Sequence, residues 1–220
     1  MIPFAIPRLR TLLFAAIGAV LIGGAHGSDA WAWGETPRHE TWNWNGTLAA
    51  GRHLEINGVN GEIVADIERD ILKMVVVERH RATGNVGVGF VRGFKLKHGA
   101  IGSSVAHDAH NVVVAGTNDA DILRAIQELE KLQGGQIAVA DGKVKAMLPL
   151  PIAGLVTDQP LHKALKLIDD LNAAAQAMGC DLAAPFMALS FLSLSPIPSL
   201  KLTDQGLIDA TKLKKIGLFA

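Results

Sequence analysis

Leu72-Lys73-Met74-Val75-Val76-Val77-Glu78-Arg79-His80 is the stretch from which the architecture can be read. Apart from one lysine, its first six residues are apolar and mostly β-branched, the composition of a strand buried on both faces. Glu78, Arg79 and His80 end the apolar run at once. Next along the chain, Val86 to Phe94 interleaves glycine with Val and Phe. That pattern predicts a second strand with close backbone approach or bulges. Gly99 to Val114 predicts a further strand, interrupted by the polar run Ser103-Ser104-Val105-Ala106-His107-Asp108-Ala109-His110-Asn111.

Helical periodicity appears after that run. Thr117 or Asn118 can cap a helix whose first turn carries Asp119 and Asp121, at the positive end of its dipole. Ile122, Ile126, Leu129 and Leu132 form its apolar stripe, and Gly134 can close it. Ile137 to Val139, Asp141-Gly142 and Val144 to Leu148 read as a hairpin. A second helix is expected from near Pro160 to Gly179, burying Leu161, Leu165, Ile168, Leu171 and Met178. Phe186 to Leu194 reads as a strand, followed by a proline-interrupted tail. Strands dominate and two principal helices are inserted, so the fold class is α+β with a mixed sheet.

The polar run between apolar flanks holds the candidate chemistry, because a buried polar group without a partner costs a few kcal/mol. His107, Asp108 and His110 are residue types that bind divalent metals. In a strand, residues three apart face opposite sides, so His107 and His110 share an ion only if the segment turns. Three readings stay open: a two-histidine metal site, a hydrogen-bonded polar loop, or the edge of an active site completed elsewhere. Glu78 and His80 are either solvated at a strand end or point into the same cleft as His107. Ser103 and Ser104 lack a nucleophile-elbow context. Gly84 to Gly89 matches no phosphate-loop pattern.

Several ordered motifs resemble one family. They are Glu78-Arg79-His80, Thr83-Gly84-Asn85-Val86-Gly87-Val88-Gly89-Phe90-Val91, the His107-to-Asn111 segment, Leu148-Pro149-Leu150-Pro151-Ile152-Ala153-Gly154-Leu155, Pro185 to Leu192, and Leu200 to Leu207. From about Asp70 to the C-terminus, the chain resembles the C-terminal domain of bacterial adenine deaminases of the amidohydrolase superfamily. The resemblance implies hydrolysis of adenine to hypoxanthine and ammonia, a step of purine salvage and adenine catabolism. It also implies manganese or iron held in a (β/α)8 barrel that precedes this domain. That barrel needs at least about 200 residues, and its His-x-His signature occurs nowhere in this sequence. The expectation is therefore a C-terminal portion that binds no metal itself and is inactive alone. Glu78, His80, His107, Asp108, His110 and Asn111 would face the active site of an intact enzyme, chosen for their clustering of polar types. The implied partner is a separate barrel-containing chain. An apolar docking face left uncovered would favour self-association.

The N-terminal part reads differently. Residues 1–27 resemble a secretory signal: Arg8 and Arg10 precede an apolar run from Thr11 to Ala25, and Ala25-His26-Gly27 suits cleavage before Ser28. Uncleaved, the segment would be a membrane anchor. All four tryptophans lie within residues 28–69, ahead of the domain at 70–220. Leu54 to Ile63 carries Asn-Gly turn signals among apolar residues, and residues 31 to 65 resemble the opening rung of secreted adhesin-like β repeats. An exported binding module is thus the alternative function, and a domain remodelled around its own histidine metal site is another. The secretory leader points to the periplasm or exterior, whereas the family enzyme is cytoplasmic. Formal net charge is zero and there is one cysteine. The first argues against nucleic acid as a partner, and the second excludes an intrachain disulfide.

Overall fold

The computed structural model describes residues 29–34, 50–55, 58–59 and 62–218, with side chains from Val64 onward. The leader lies outside the described residues, as do Trp42 and Trp44. Strands β1 (Asp29–Gly34), β2 (Ala50–Glu55), β3 (Gly58–Val59) and β4 (Glu62–Ile63) come first. Then follow β5 (Leu72–Val77), β6 (Val86–Val91), β7 (Ala100–Ser103), β8 (Val112–Gly116), α1 (Asp119–Lys131), β9 (Gly135–Ala140), β10 (Lys143–Pro149), α2 (Leu161–Ala177) and α3 (Pro185–Ser190). The last strands are β11 (Leu200–Thr203), β12 (Gly206–Asp209) and β13 (Lys214–Lys215).

The main sheet runs β10-β9-β7-β8-β5-β6-β1-β2. Its six strands from β10 to β6 are antiparallel throughout. β1 pairs with β6 in parallel, Trp33 opposite Val91, which makes the whole sheet mixed. β11, β12 and β13 form a separate antiparallel sheet. The described residues thus form an α+β fold with two main helices and contain no (β/α)8 barrel.

All six residues of β5 are buried because both faces of the sheet are covered. Leu72, Met74 and Val76 point to one core, with Leu171 and Ala175 of α2, Phe186 and Leu189 of α3, and Leu200, Leu202 and Leu207 of the small sheet. Val75 and Val77 point to the other, where α1 contributes Ile122, Ala125, Ile126 and Leu129. Lys73 lies 3% exposed in β5, and its ammonium reaches Asp119 at the start of α1, 2.6 Å away. β11 crosses β6 so closely that a Cβ on Gly87 would sit 1.9 Å from the Thr203 carbonyl oxygen. Gly87 of β6 therefore serves close backbone approach.

Four elements differ from the sequence expectation. Gly99 to Val114 is two strands, β7 and β8, paired as a hairpin whose connection is the polar run. Phe186 to Leu194 begins as helix α3, with Pro185 pre-setting the first turn, and continues as turns. A short apolar run has no period that separates a strand from a buried helical turn. α2 spans the expected residues but buries Ala164, Leu171 and Ala175, leaving Leu161 (74%), Leu165 (52%) and Ile168 (38%) exposed. Its inner face combines Leu171 with the small Ala164 and Ala175, and Met178, just past its last turn, is buried as expected. The proline-interrupted tail, for which no element was expected, leads into the β11–β12 hairpin, which turns through Asp204-Gln205.

Candidate functional site

The polar run turns tightly between β7 and β8, and its first residues are structural. Ser104 donates its hydroxyl to the Gly154 carbonyl at 2.6 Å and accepts from the Gly135 N–H at 2.8 Å. Ser103 accepts from the Val105 N–H at 2.9 Å. Both hydroxyls are committed to backbone groups, in keeping with the absence of a nucleophile motif.

Because the segment turns, His107 and His110 come together. Their ring centroids are 5.8 Å apart and nearly perpendicular, and His107 also lies 5.0 Å from the ring of Phe191. The His107 N–H is anchored to the Ser190 carbonyl at 3.1 Å. His110 has φ of 50°, the left-handed region, and its N–H donates to the Ala106 carbonyl at 2.6 Å. Its Nδ1 accepts from the Ala106 N–H at 3.3 Å, which puts the proton of the neutral ring on Nε2. Burial, with His107, Arg79 and His80 nearby, outweighs Asp108 and holds the imidazole pKa below its ordinary value. His80 is exposed, and its Nε2 lies 2.7 Å from the Ala109 carbonyl oxygen. His107 and His110 on the turn, and His80 reaching it from the end of β5, therefore gather three imidazoles around one segment.

Arg79 fixes that turn. It is 7% exposed; its Nε donates to the His110 carbonyl and its Nη2 to the Ala153 carbonyl at 2.8 Å. A Cβ on Gly154, where φ is 74°, would sit within 3 Å of the guanidinium. Glu78 has another task. It is buried and accepts from the N–H groups of His80, Arg81 (2.8 Å) and Thr83 (3.0 Å), and from the Thr83 hydroxyl (3.0 Å). Glu78 thus caps the turn after β5, neither solvated nor turned toward His107. Burial alone would raise its pKa, but the hydrogen bonds from Thr83, Arg81 and His80 together hold it below the ordinary value.

Asp108 and Asn111 line a cavity whose walls include none of His80, His107 and His110. Asn111 donates its Nδ2 to Asp204 at 3.1 Å. Of the sequence candidates, His80, His107 and His110 are thus gathered, Asp108 and Asn111 share a neighbouring cavity, and Glu78 stands apart. The sequence reading missed Arg79 and Asp204 as functional-site residues. A charge placed straight after a fully buried strand is a signal for Arg79; Asp204 carries none, since it arrives from a remote hairpin.

Of the three imidazoles gathered here, His80 has its Nε2 2.7 Å from the Ala109 carbonyl oxygen, which leaves two for an ion, one fewer than the three protein ligands of a typical catalytic zinc site. One of them already uses its Nδ1 for a backbone hydrogen bond. Among the described residues no three His, Cys, Asp or Glu side chains stand close enough to hold an ion. The described residues do not fit a catalytic manganese or iron centre, and what they offer is hydrogen bonding.

The family model for the adenine deaminase C-terminal domain matches residues 47–214. The chain belongs to that family. The match begins ahead of Asp70 and overlaps the segment read as adhesin-like. An adenine deaminase of Dehalococcoides mccartyi is 52% identical over 164 residues, 74% of this chain and 29% of that protein. One from Clostridium botulinum is 45% identical over 168 residues, 76% of this chain and 28% of that protein. One from Desulforamulus reducens is 54% identical over 153 residues, 70% of this chain and 26% of that protein. This adenine deaminase C-terminal domain chain therefore spans less than a third of the length of the curated relatives it matches.

Proposed function

We propose that this chain serves adenine deamination, adenine and water giving hypoxanthine and ammonia, as the part that borders the substrate site of a metal-bearing barrel on a separate chain. In this reading it does not deaminate adenine alone. The observation that carries it is the family match over residues 47–214, set beside relatives in which the matched part is under a third of the protein.

The histidine turn suits that role. Neutral His110 presents an Nε2–H, a hydrogen-bond donor for a ring nitrogen of a purine. The Asp108 carboxylate accepts from an exocyclic amine. Arg79 is a positioning residue, because it holds the backbone of the turn through the His110 carbonyl.

Purified full chain is assayed for ammonia release from adenine, with and without manganese or ferrous iron. No release is expected. Adding the separately expressed remainder of the Dehalococcoides mccartyi relative should restore it. His110→Ala should lower the restored rate by roughly tenfold or more without loss of complex. Ammonia release by this chain alone, abolished by a chelator, would overturn the reading.

A further inference from the structure

Two bonds between Ala106 and His110 close the histidine turn. The His110 N–H donates to the Ala106 carbonyl at 2.6 Å, and the Ala106 N–H donates to Nδ1 of the His110 ring at 3.3 Å. Ala106 is fully buried, so its N–H has no water to turn to if the ring leaves. His110 also sits at φ of 50°, a left-handed conformation that a non-glycine residue keeps only while its surroundings hold it there. Arg79 supplies a third hold through the His110 carbonyl.

This closure accepts one protonation state of the ring. A neutral imidazole can leave Nδ1 bare as an acceptor, whereas an imidazolium carries hydrogen on both nitrogens. With Nδ1 protonated, two N–H groups would face each other across the closing bond. The surroundings oppose that proton as well. Burial acts first, then His107 from the turn itself and Arg79 and His80 from the end of β5, while Asp108 favours the charge. The other neighbours of the turn add little charge. α3 brings the Ser190 carbonyl and the Phe191 ring to His107. The loop after β10 brings the Ala153 carbonyl to Arg79. The β11–β12 hairpin brings Asp204, which the Asn111 carboxamide holds at 3.1 Å.

We propose that this turn is a proton-operated latch, closed while His110 is neutral and opening from His107 to Asn111 when the ring takes a proton at Nδ1. In the open form the ring is solvated, with the ordinary histidine pKa of about 6.5. The closed form binds the proton less well. Closure is therefore complete above the ordinary value and is lost as pH falls toward the lower one. The opening is local, because β5 and β8 remain paired with each other and with their other neighbours. The inference goes beyond adenine deamination and stands without it.

The test follows the full chain by NMR from pH 7.5 downward, reading the His110 ring 15N shifts and the hydrogen-exchange protection of the Ala106 amide. At pH 7.5 the proton of the His110 ring should sit on Nε2. On acidification the ring should titrate and Ala106 should lose protection by roughly tenfold or more at the same midpoint, while Val75 in β5 keeps its own. His110→Gln should abolish this pH dependence. His80 and Asp108 are exposed, so His80→Gln and Asp108→Asn keep the fold and carry the test even if His110→Gln fails to fold. His80→Gln should move the midpoint up and Asp108→Asn should move it down. A proton on Nδ1 at pH 7.5, Ala106 protection that stays constant while His110 titrates, loss of Val75 protection in step with Ala106, or a midpoint that neither variant moves would overturn the proposal.

Discussion

Glu78 is a buried carboxylate whose lone pairs are consumed by the turn it caps. Its folded pKa lies below the ordinary glutamate value, which is about 4.3 in model peptides. On acidification the unfolded chain takes up this proton first, so stability is full above that ordinary value and is lost as pH falls through the lower folded one. His110 acts in the same direction at higher pH. Its folded imidazole also titrates below the unfolded one, so its contribution starts to fall near pH ~6.5 and levels off below the folded value. Urea denaturation across pH should therefore show two descending steps. Glu78→Gln should flatten the lower one and cost about 1–3 kcal/mol at neutral pH, because a buried carboxylate oxygen that accepts from the turn is replaced by a donor amide. His110→Asn should flatten the upper one. A wild-type stability independent of pH between 3 and 7 would refute both assignments.

Helix α1 starts where its sequence says it should. Asn118 accepts from the Asp121 N–H at 2.8 Å, and Asp119 and Asp121 occupy the first turn. Asn118→Ala is expected to cost about 1 kcal/mol, read as a lower urea midpoint with an unchanged slope. This element was legible because cap, charge bias and apolar stripe agree. The β9–β10 hairpin was legible for the same reason, with Asp141-Gly142 as its turn. α3 was not, because Pro185 to Ser190 is short and apolar and only its tertiary surroundings decide between strand and helix. The face of α2 was read in part: Leu171 and Met178 are buried as expected, but Leu161, Leu165 and Ile168 point outward and the smaller Ala164 and Ala175 point in. Periodicity finds a stripe but not what it meets. The candidate site was half legible: polar residues between apolar strands located the turn. That Arg79 ties it to Ala153, and that Asp204 reaches Asn111, depends on contacts 74 and 93 residues apart in sequence.

Among the described residues, apolar side chains stand exposed along one helix, with Leu161, Leu165 and Ile168 at helical spacing on α2. Ile152 (53%) and Val156 (54%) are exposed in the loop that leads to it. Apolar patches of this sort favour association when nothing covers them. Burial of Leu161, Leu165 and Ile168 between copies removes them from water at about 25 cal/mol per Å2, a gain that grows with protein concentration only through association. Light scattering of the full chain should therefore show a mass that rises with concentration. The double substitution Leu161→Lys and Leu165→Lys should shift it toward the monomer with little change in melting temperature, since both side chains are already solvated. Leu171→Ala removes a fully buried side chain from the same helix, so it should cost about 2–5 kcal/mol. It should leave the concentration dependence of the folded protein in place. A wild-type mass that is monomeric at every concentration would show that this face is tolerated in water, and a double lysine variant that associates as before would place the contact elsewhere on the surface.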